Sequence, residues 1–233
     1  MKRTLFIVIT LVMVIFLFGC SCDNKLGQKQ PETTTVNMEK DKSLYGSVLK
    51  EYADACKSSK TKDIEAKQKL STGFGEVAKE KNLSKRLGYK FVDLNRDGTD
   101  ELLVSLIDKK DKLNNYVIAV YSYGGEGAKR ILEGWSRNVY YQTKDGLILN
   151  EASGGAEDAE IAKLQMKEDA FVIYSMLSIK YGKKDKVNYL YASVGKPLNK
   201  KQYRISEKAW RDKVGEWEKE VVIDGVTPFS KHK

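Results

Sequence analysis

The chain has 233 residues, 31% of them charged, and a formal net charge of +9. Positive and negative side chains alternate along most of the sequence, which is typical of a solvated surface, and we find no nucleic-acid-reading motif. The one histidine is His232, second from the last residue. We therefore expect no nucleic-acid partner, no histidine-ligated zinc, and no catalysis by a Ser-His-Asp triad or a Cys-His dyad.

The first 20 residues have the organisation of an export signal. Lys2 and Arg3 precede an apolar run of 14 residues, Leu5 to Phe18, interrupted by Thr10 alone. As a helix this run would cover about 21 Å, which is less than the ~30 Å hydrocarbon core of a membrane. The sequence therefore predicts a signal peptide over residues 1–19 that is removed on export.

The end of this stretch, Leu17-Phe18-Gly19-Cys20, resembles the lipobox of bacterial lipoproteins, although Phe18 is bulkier than is usual there. The resemblance implies that the Cys20 thiol receives a diacylglyceryl group and becomes the first residue of the mature chain. At ~0.8 kcal/mol per buried CH₂, two acyl chains give stable attachment, whereas one gives marginal binding. The expected location is the extracytoplasmic face of the cell membrane. The alternative is an ordinary secreted protein.

Residues 20–42 are polar and carry a run of three threonines, which predicts a flexible tether. The remaining residues, 43–233, suit a single domain with a sizeable core. A disulfide between Cys22 and Cys56 is possible in an exported chain. The favoured interpretation is that Cys56 is a buried apolar residue of the first helix.

The domain is predicted to start with helices and to continue as an antiparallel sheet. Apolar residues recur at three- and four-residue spacing from Ser43 to Cys56, and residues 61–70 and 74–83 favour further helix. Short apolar or alternating runs then predict strands at 89–92, 102–107, 116–123, 139–142, 147–150, 161–166, 171–179 and 189–193. Asp145-Gly146 and the glycines of residues 124–127 mark tight reversals, so the strands form a meander.

A last helix is predicted to start after Ser206, which suits an N-cap. Ile205 and Trp210 occupy the two positions of a hydrophobic staple. Trp210, Val214 and Trp217 then share one face, and a face that packs on the core is favoured over a ligand surface. The predicted fold is α+β: N-terminal helices, an antiparallel β meander sheet and a C-terminal helix.

Residues 93–101 form the one segment with a clear chemical pattern. Oxygen-bearing side chains stand at alternate positions before Gly98, which allows a sharp turn. Ca²⁺ takes six to eight oxygen ligands, so such a loop can curl around it. The predicted ligands are Asp93, Asn95, Asp97, the backbone carbonyl of Thr99, and Glu101.

The loop begins like an EF-hand, but its twelfth position is Val104 and its flanks favour strands. It resembles the strand-loop-strand calcium sites of integrin-type repeats and, in general layout, a group of uncharacterised lipoproteins of Gram-positive bacteria. The resemblance implies a structural Ca²⁺ and no particular activity. The alternative is a hairpin without an ion.

Two other groups of residues suggest binding or catalysis. Acidic residues cluster around Ser153-Gly154-Gly155, and a pair of carboxylates can hydrolyse a glycosidic bond; they are Glu151, Glu157, Asp158 and Glu160. A set of tyrosines could line a saccharide or peptide surface or pack across strands: Tyr140, Tyr141, Tyr181, Tyr189 and Tyr191.

The favoured function is therefore a non-enzymatic surface module. Its domain is stabilised by calcium, is held on the membrane by the lipid on Cys20, and binds an envelope polymer or a protein partner. The alternative is a carboxylate-dependent hydrolase of cell-wall or extracellular polysaccharide.

Overall fold

The structure is a computed structural model that describes residues 41–57, 70–108, 110–154, 158–182, 186–193, 203–222 and 224–232. All of these belong to one unit, Thr33–Lys233. The predicted signal peptide, Cys20, Cys22 and the tether up to residue 40 lie outside the described residues. So do most of the predicted helix over 61–70 and the acidic residue Glu157.

The first helix packs one face on the sheet. Residues 41–44 are helical, and helix α1 (Gly46–Lys57) follows them. Cys56 is partly buried against the core on this face. The apolar positions at three- and four-residue spacing are buried, as the periodicity predicts: Leu49, Tyr52 and Ala53.

The predicted helix over residues 74–83 is two short helices in the structure. Helix α2 spans Thr72–Val77, and α3 spans Leu83–Arg86. The Ser71 hydroxyl caps α2 by accepting a hydrogen bond from the Phe74 N–H at 3.0 Å. Before α3, Asn82 has a left-handed backbone with φ of 59°, which a continuous right-handed helix cannot contain.

The described chain contains an 11-stranded antiparallel sheet. Its strands are β1 (Leu87–Val92), β2 (Glu101–Leu106), β3 (Val117–Gly124), β4 (Gly127–Glu133), β5 (Asn138–Gln142), β6 (Ile148–Ser153), β7 (Asp158–Lys167), β8 (Ala170–Gly182), β9 (Lys186–Ser193), β10 (Tyr203–Ile205) and β11 (Thr227–Pro228). The spatial order is β10-β9-β8-β7-β6-β5-β3-β2-β1-β11, and β4 pairs with β3 beside this path. Most sequence neighbours are therefore also neighbours in the sheet, as a meander requires.

The α+β class and the antiparallel sheet are confirmed, but the predicted arrangement of helices is too simple. A 3₁₀ turn, Lys112–Asn114, lies between β2 and β3. The C-terminal helix α4 (Glu207–Lys219) is followed by β11, which pairs with the first strand of the sheet. The chain therefore returns from its last helix to the sheet edge beside β1.

Three apolar clusters hold the helices on the sheet and the strands together. The first fills the space between helices α1, α2 and α3 and one face of β1, β2 and β3. The second lies on the other face, where Leu103 and Val120 pack with Ile148 and Met166 from β6 and β7. The third lies under α4, where Trp217 is 5% exposed and Trp210 and Val214 pack against it. The predicted apolar face of the last helix therefore contacts the core.

Candidate metal centre

The acidic loop joins β1 to β2. Val92 pairs with Glu101 in the ladder, so the eight residues between them form a closed loop. Two of these have left-handed backbones, Arg96 with φ of 65° and Gly98 with φ of 89°. Leu94 points the other way and is buried in the second apolar cluster, which fixes the loop to the core. The apolar side chain of Leu94 thus packs in the core, whereas the polar side chains before and after it in the sequence remain in the loop.

Within the loop, side-chain oxygens turn inward and accept backbone hydrogen bonds. The two carboxylate oxygens of Asp93 accept from the N–H groups of Asp97 (3.1 Å) and Gly98 (3.0 Å). Asn95 Oδ1 accepts from Asp97 N–H at 3.0 Å, and Asp97 Oδ1 accepts from Thr99 N–H at 2.8 Å. The structure therefore brings the first three predicted ligands together in one small loop. For Thr99 the structure shows the hydrogen bond from its backbone N–H, so the role of its carbonyl as a ligand stays a prediction.

Glu101 is the deepest acid of this group, with 1% of its surface exposed. Its Oε2 accepts a hydrogen bond from Leu94 N–H at 2.9 Å. Burial raises the pKa of Glu101 to about 7; the Leu94 hydrogen bond opposes this rise, and the charges of Asp97 and Asp93 add to it. Among the described residues, no Lys or Arg forms an ion pair with any of these three acids.

Asp100 adds a further acid beside the loop. Partial burial and the neighbouring Asp41 raise its pKa to about 6. The Tyr45 hydroxyl donates to the backbone carbonyl of Asp100 at 2.9 Å, so the first helical segment also holds this end of the loop. Neighbouring carboxylates repel one another, and a bound cation would offset that repulsion.

The donor set suits a hard cation better than a transition metal. Across the described ranges, no three or more His, Cys, Asp or Glu side chains are grouped as a metal site. Calcium loops, however, also use amide and backbone carbonyl oxygens as ligands. Asp93, Asn95 and Asp97 converge, and Glu101 lies at the loop base, so the residues present fit Ca²⁺ as the resemblance implies.

Contacts from distant strands support the loop, and the sequence did not indicate them. Asn95 Nδ2 donates to the backbone carbonyl of Glu168 in the β7–β8 turn at 3.1 Å. The Ser122 hydroxyl of β3 lies 3.5 Å from Glu101 Oε1 and 3.3 Å from Asp169 Oδ1. A cleft of about 340 Å³ opens beside Ser122 and Asp169, between the β3–β4 hairpin and this turn.

Two of the predicted acids, Glu151 and Glu160, do not form a catalytic pair, and the side chain of Asp158 lies outside the described part of the chain. Glu151 pairs with Ile161, which packs under α4, whereas Glu160 pairs with Ala152 and projects from the opposite face of the sheet. Glu157 lies outside the described residues. Glu151 lies instead near Glu218 of α4: burial raises the pKa of Glu151, and the charge of Glu218 adds to the rise.

The five tyrosines do not share one surface. Tyr140 and Tyr141 are consecutive in β5 and face opposite sides of the sheet. Tyr141 is 4% exposed under α4, and Tyr191, four strands away in β9, packs against the same apolar cluster. Tyr189 lies 5.9 Å from the Trp210 ring, measured between centroids. The side chain of Tyr181 lies outside the described part of the chain.

Comparison with known proteins does not assign this chain to a family. No description of a protein family matches the chain, and neither a curated protein nor a solved structure matches it. No helix among the described residues is long and apolar enough to cross a membrane.

Proposed function

We propose that this chain is a lipid-anchored module of the extracytoplasmic membrane surface, in which one Ca²⁺ stabilises a domain that binds an envelope component. The main support for this proposal is the acidic loop. Three of its side chains converge near the buried Glu101, and the acids of the loop have no basic partner in the described chain. An exported domain meets far more calcium than a cytosolic one, so a weak site suffices there.

The anchor rests on the sequence. Leu17 and Gly19 stand where the lipobox of bacterial lipoproteins has an aliphatic and a small residue, and Cys20 follows them directly. A diacylglyceryl group at this position would keep the domain at the membrane surface behind a polar tether. In that position the domain can contact wall polymers and other surface proteins.

A binding role is favoured over the hydrolase. Glu151 and Glu160, two of the predicted acids, lie on opposite faces of the sheet, so they cannot flank one glycosidic bond. The acid near Glu151 is Glu218, and both residues lie beside the α4 packing surface. Both side chains are half-buried.

Thermal melting tests the calcium part of the proposal. With a Kd of ~10⁻⁴ to 10⁻³ M, 10 mM Ca²⁺ is expected to add about 1.4 to 2.7 kcal/mol to the free energy of unfolding. For a domain of this size that corresponds to a rise in Tm of roughly 3 to 10 °C. Mg²⁺ at equal concentration and ionic strength should have a smaller effect.

The Asp97→Ala variant provides the comparison, because it removes one loop oxygen donor. Its Tm should rise less with Ca²⁺ than that of the wild type. The Asp212→Ala variant is the matched control, since Asp212 is an exposed acid on α4 paired with Lys208, and it should respond as the wild type does. Equal Ca²⁺ responses of wild type and Asp97→Ala would refute the site.

A further inference from the structure

A polar and aromatic patch lies on the face of the sheet opposite α4. Trp135 and Asn138 form an antiparallel bridge, Asn138 pairs with Ala152, and Tyr140 pairs with Asn150. Directly paired residues project from the same face, and so do alternate residues of one strand. These five side chains therefore share one face, which we call the Trp135 patch.

The turn that carries Trp135 is held rigidly. The backbone N–H and carbonyl of Trp135 both bond to Asn138, at 3.0 and 2.8 Å. The next residue, Ser136, donates from its N–H and its hydroxyl to the Glu76 carboxylate of α2, at 2.8 and 3.0 Å. Trp135 nevertheless keeps 36% of its surface exposed. A large aromatic ring is thus presented to solvent from a fixed support.

The polar members form an ordered row. Asn150 Nδ2 donates to Asn138 Oδ1 at 2.8 Å, and Asn138 Nδ2 donates to the Tyr140 hydroxyl at 2.7 Å. Asn150 Nδ2 also donates to the Val139 carbonyl at 3.1 Å. Within the described chain, Asn150 Oδ1 accepts no hydrogen bond and the Tyr140 hydroxyl proton has no acceptor. The row therefore retains an acceptor and a donor for a ligand.

Resting on the proposed function, we propose that the Trp135 patch binds uncharged sugar units of an envelope polysaccharide. A pyranose ring has an apolar C–H face, which packs on an indole, and hydroxyl groups that both donate and accept hydrogen bonds. Ala152 leaves room above the sheet because it carries only a methyl group. Glu160, exposed and paired with Ala152, disfavours phosphate-rich polymers at this position.

The test measures binding of the mature chain, produced from residue 20 onward without the signal peptide and therefore without the lipid, to an N-acetylglucosamine hexamer, a soluble glucan and polyglycerol phosphate. We expect one of the two neutral glycans to bind and to quench or shift tryptophan fluorescence. Trp135→Ala should weaken that binding by about tenfold or more while the variant stays folded and melts in one cooperative transition. Tyr174→Ala, which removes an aromatic side chain that is 44% exposed elsewhere on the sheet, should bind normally.

Three results would overturn the assignment: no binding of either neutral glycan, binding of polyglycerol phosphate alone, or neutral-glycan binding that is unaffected by Trp135→Ala. Because the calcium loop is tested by melting without a glycan, its result is independent. Loss of this inference with retained Ca²⁺ stabilisation would leave the calcium-stabilised module standing.

Discussion

Two buried ionisable side chains differ in how the chain offsets their burial. Lys163 Nζ lies 3.2 Å from Asp145 Oδ2, contacts the Glu220 carboxylate and lies 5.7 Å from the centre of the Trp217 ring. Glu101 has a backbone N–H and a serine hydroxyl near it, and its nearest charged neighbours are acids. The buried cation is thus offset within the protein, whereas the buried acid is consistent with an exogenous cation.

Asp145 gives a pH-dependent prediction. Partial burial opposes its ionisation, but hydrogen bonding from the Thr143 hydroxyl and the charge of Lys163 outweigh this and lower the pKa of Asp145. An unfolded Asp ionises near pH 3.9, so the ionised form contributes stability above about pH 4. That contribution is lost as the pH falls through the lower, folded pKa.

The measurement is chemical denaturation of wild type and Asp145→Asn between about pH 3 and pH 7. Since the Asp145 side chain is 45% exposed, the expected difference at neutral pH is only about 0.5 to 1 kcal/mol. The difference should shrink toward the acid end of this range. A difference that is the same at both ends would show that the Lys163 pairing does not contribute through ionisation.

At the scale of elements, two serine caps differ in their surroundings. The Ser71 hydroxyl caps α2 at 3.0 Å and is fully buried, whereas the Ser206 hydroxyl caps α4 at 3.1 Å and is exposed. Removing a buried cap leaves a backbone N–H without water or partner, so it costs more.

We therefore predict that Ser71→Ala lowers the free energy of unfolding by about 1 to 2 kcal/mol and Ser206→Ala by about 0.5 to 1 kcal/mol. Urea denaturation of the two variants beside wild type gives both values. Ser206→Ala serves as the control, because it makes the same chemical change at an exposed helix. The reverse order of the two effects would contradict the assigned role of burial.

Local sequence patterns predicted the helices that pack one face on the core and the strands that are continuous apolar runs. Helices α1 and α4 have apolar residues at helical spacing, and β2 and the first six residues of β3 are buried throughout; each was expected near its observed place. By contrast, β4, which pairs with β3, shows only weak alternation of apolar and polar residues, and it contains the consecutive charged residues Lys129 and Arg130. Strands β10 and β11 have three and two residues, too few for a pattern.

The candidate site was predictable only where it is local. Asp93, Asn95 and Asp97 lie within five residues, so their convergence follows from the turn at Gly98. The support from Ser122 and from the Glu168 carbonyl depends on pairing of distant strands. The Trp135 patch likewise depends on register, since Asn138 and Asn150 meet only across the β5–β6 ladder. A single sequence carries no local signal for such contacts.

At the scale of the whole molecule, we propose that a lipid anchor and a tether precede a folded domain. Cys20→Ala should abolish acyl labelling and release or mislocalise the chain, because no acyl chains would then hold it at the membrane surface. Labelling with a fatty-acid analogue followed by fractionation measures both effects. Cys22→Ala, two residues away, should change neither. Continued labelling of Cys20→Ala would contradict the lipobox assignment.

The central claim is that the loop from Asp93 to Glu101 binds calcium. The most direct measurement is isothermal titration of the calcium-depleted protein with Ca²⁺, beside the Asp97→Ala variant. We expect one ion per chain with a Kd of ~10⁻⁴ to 10⁻³ M, and binding at least about tenfold weaker in the variant. Absence of binding up to roughly 10 mM, or equal affinity in both proteins, would contradict the claim.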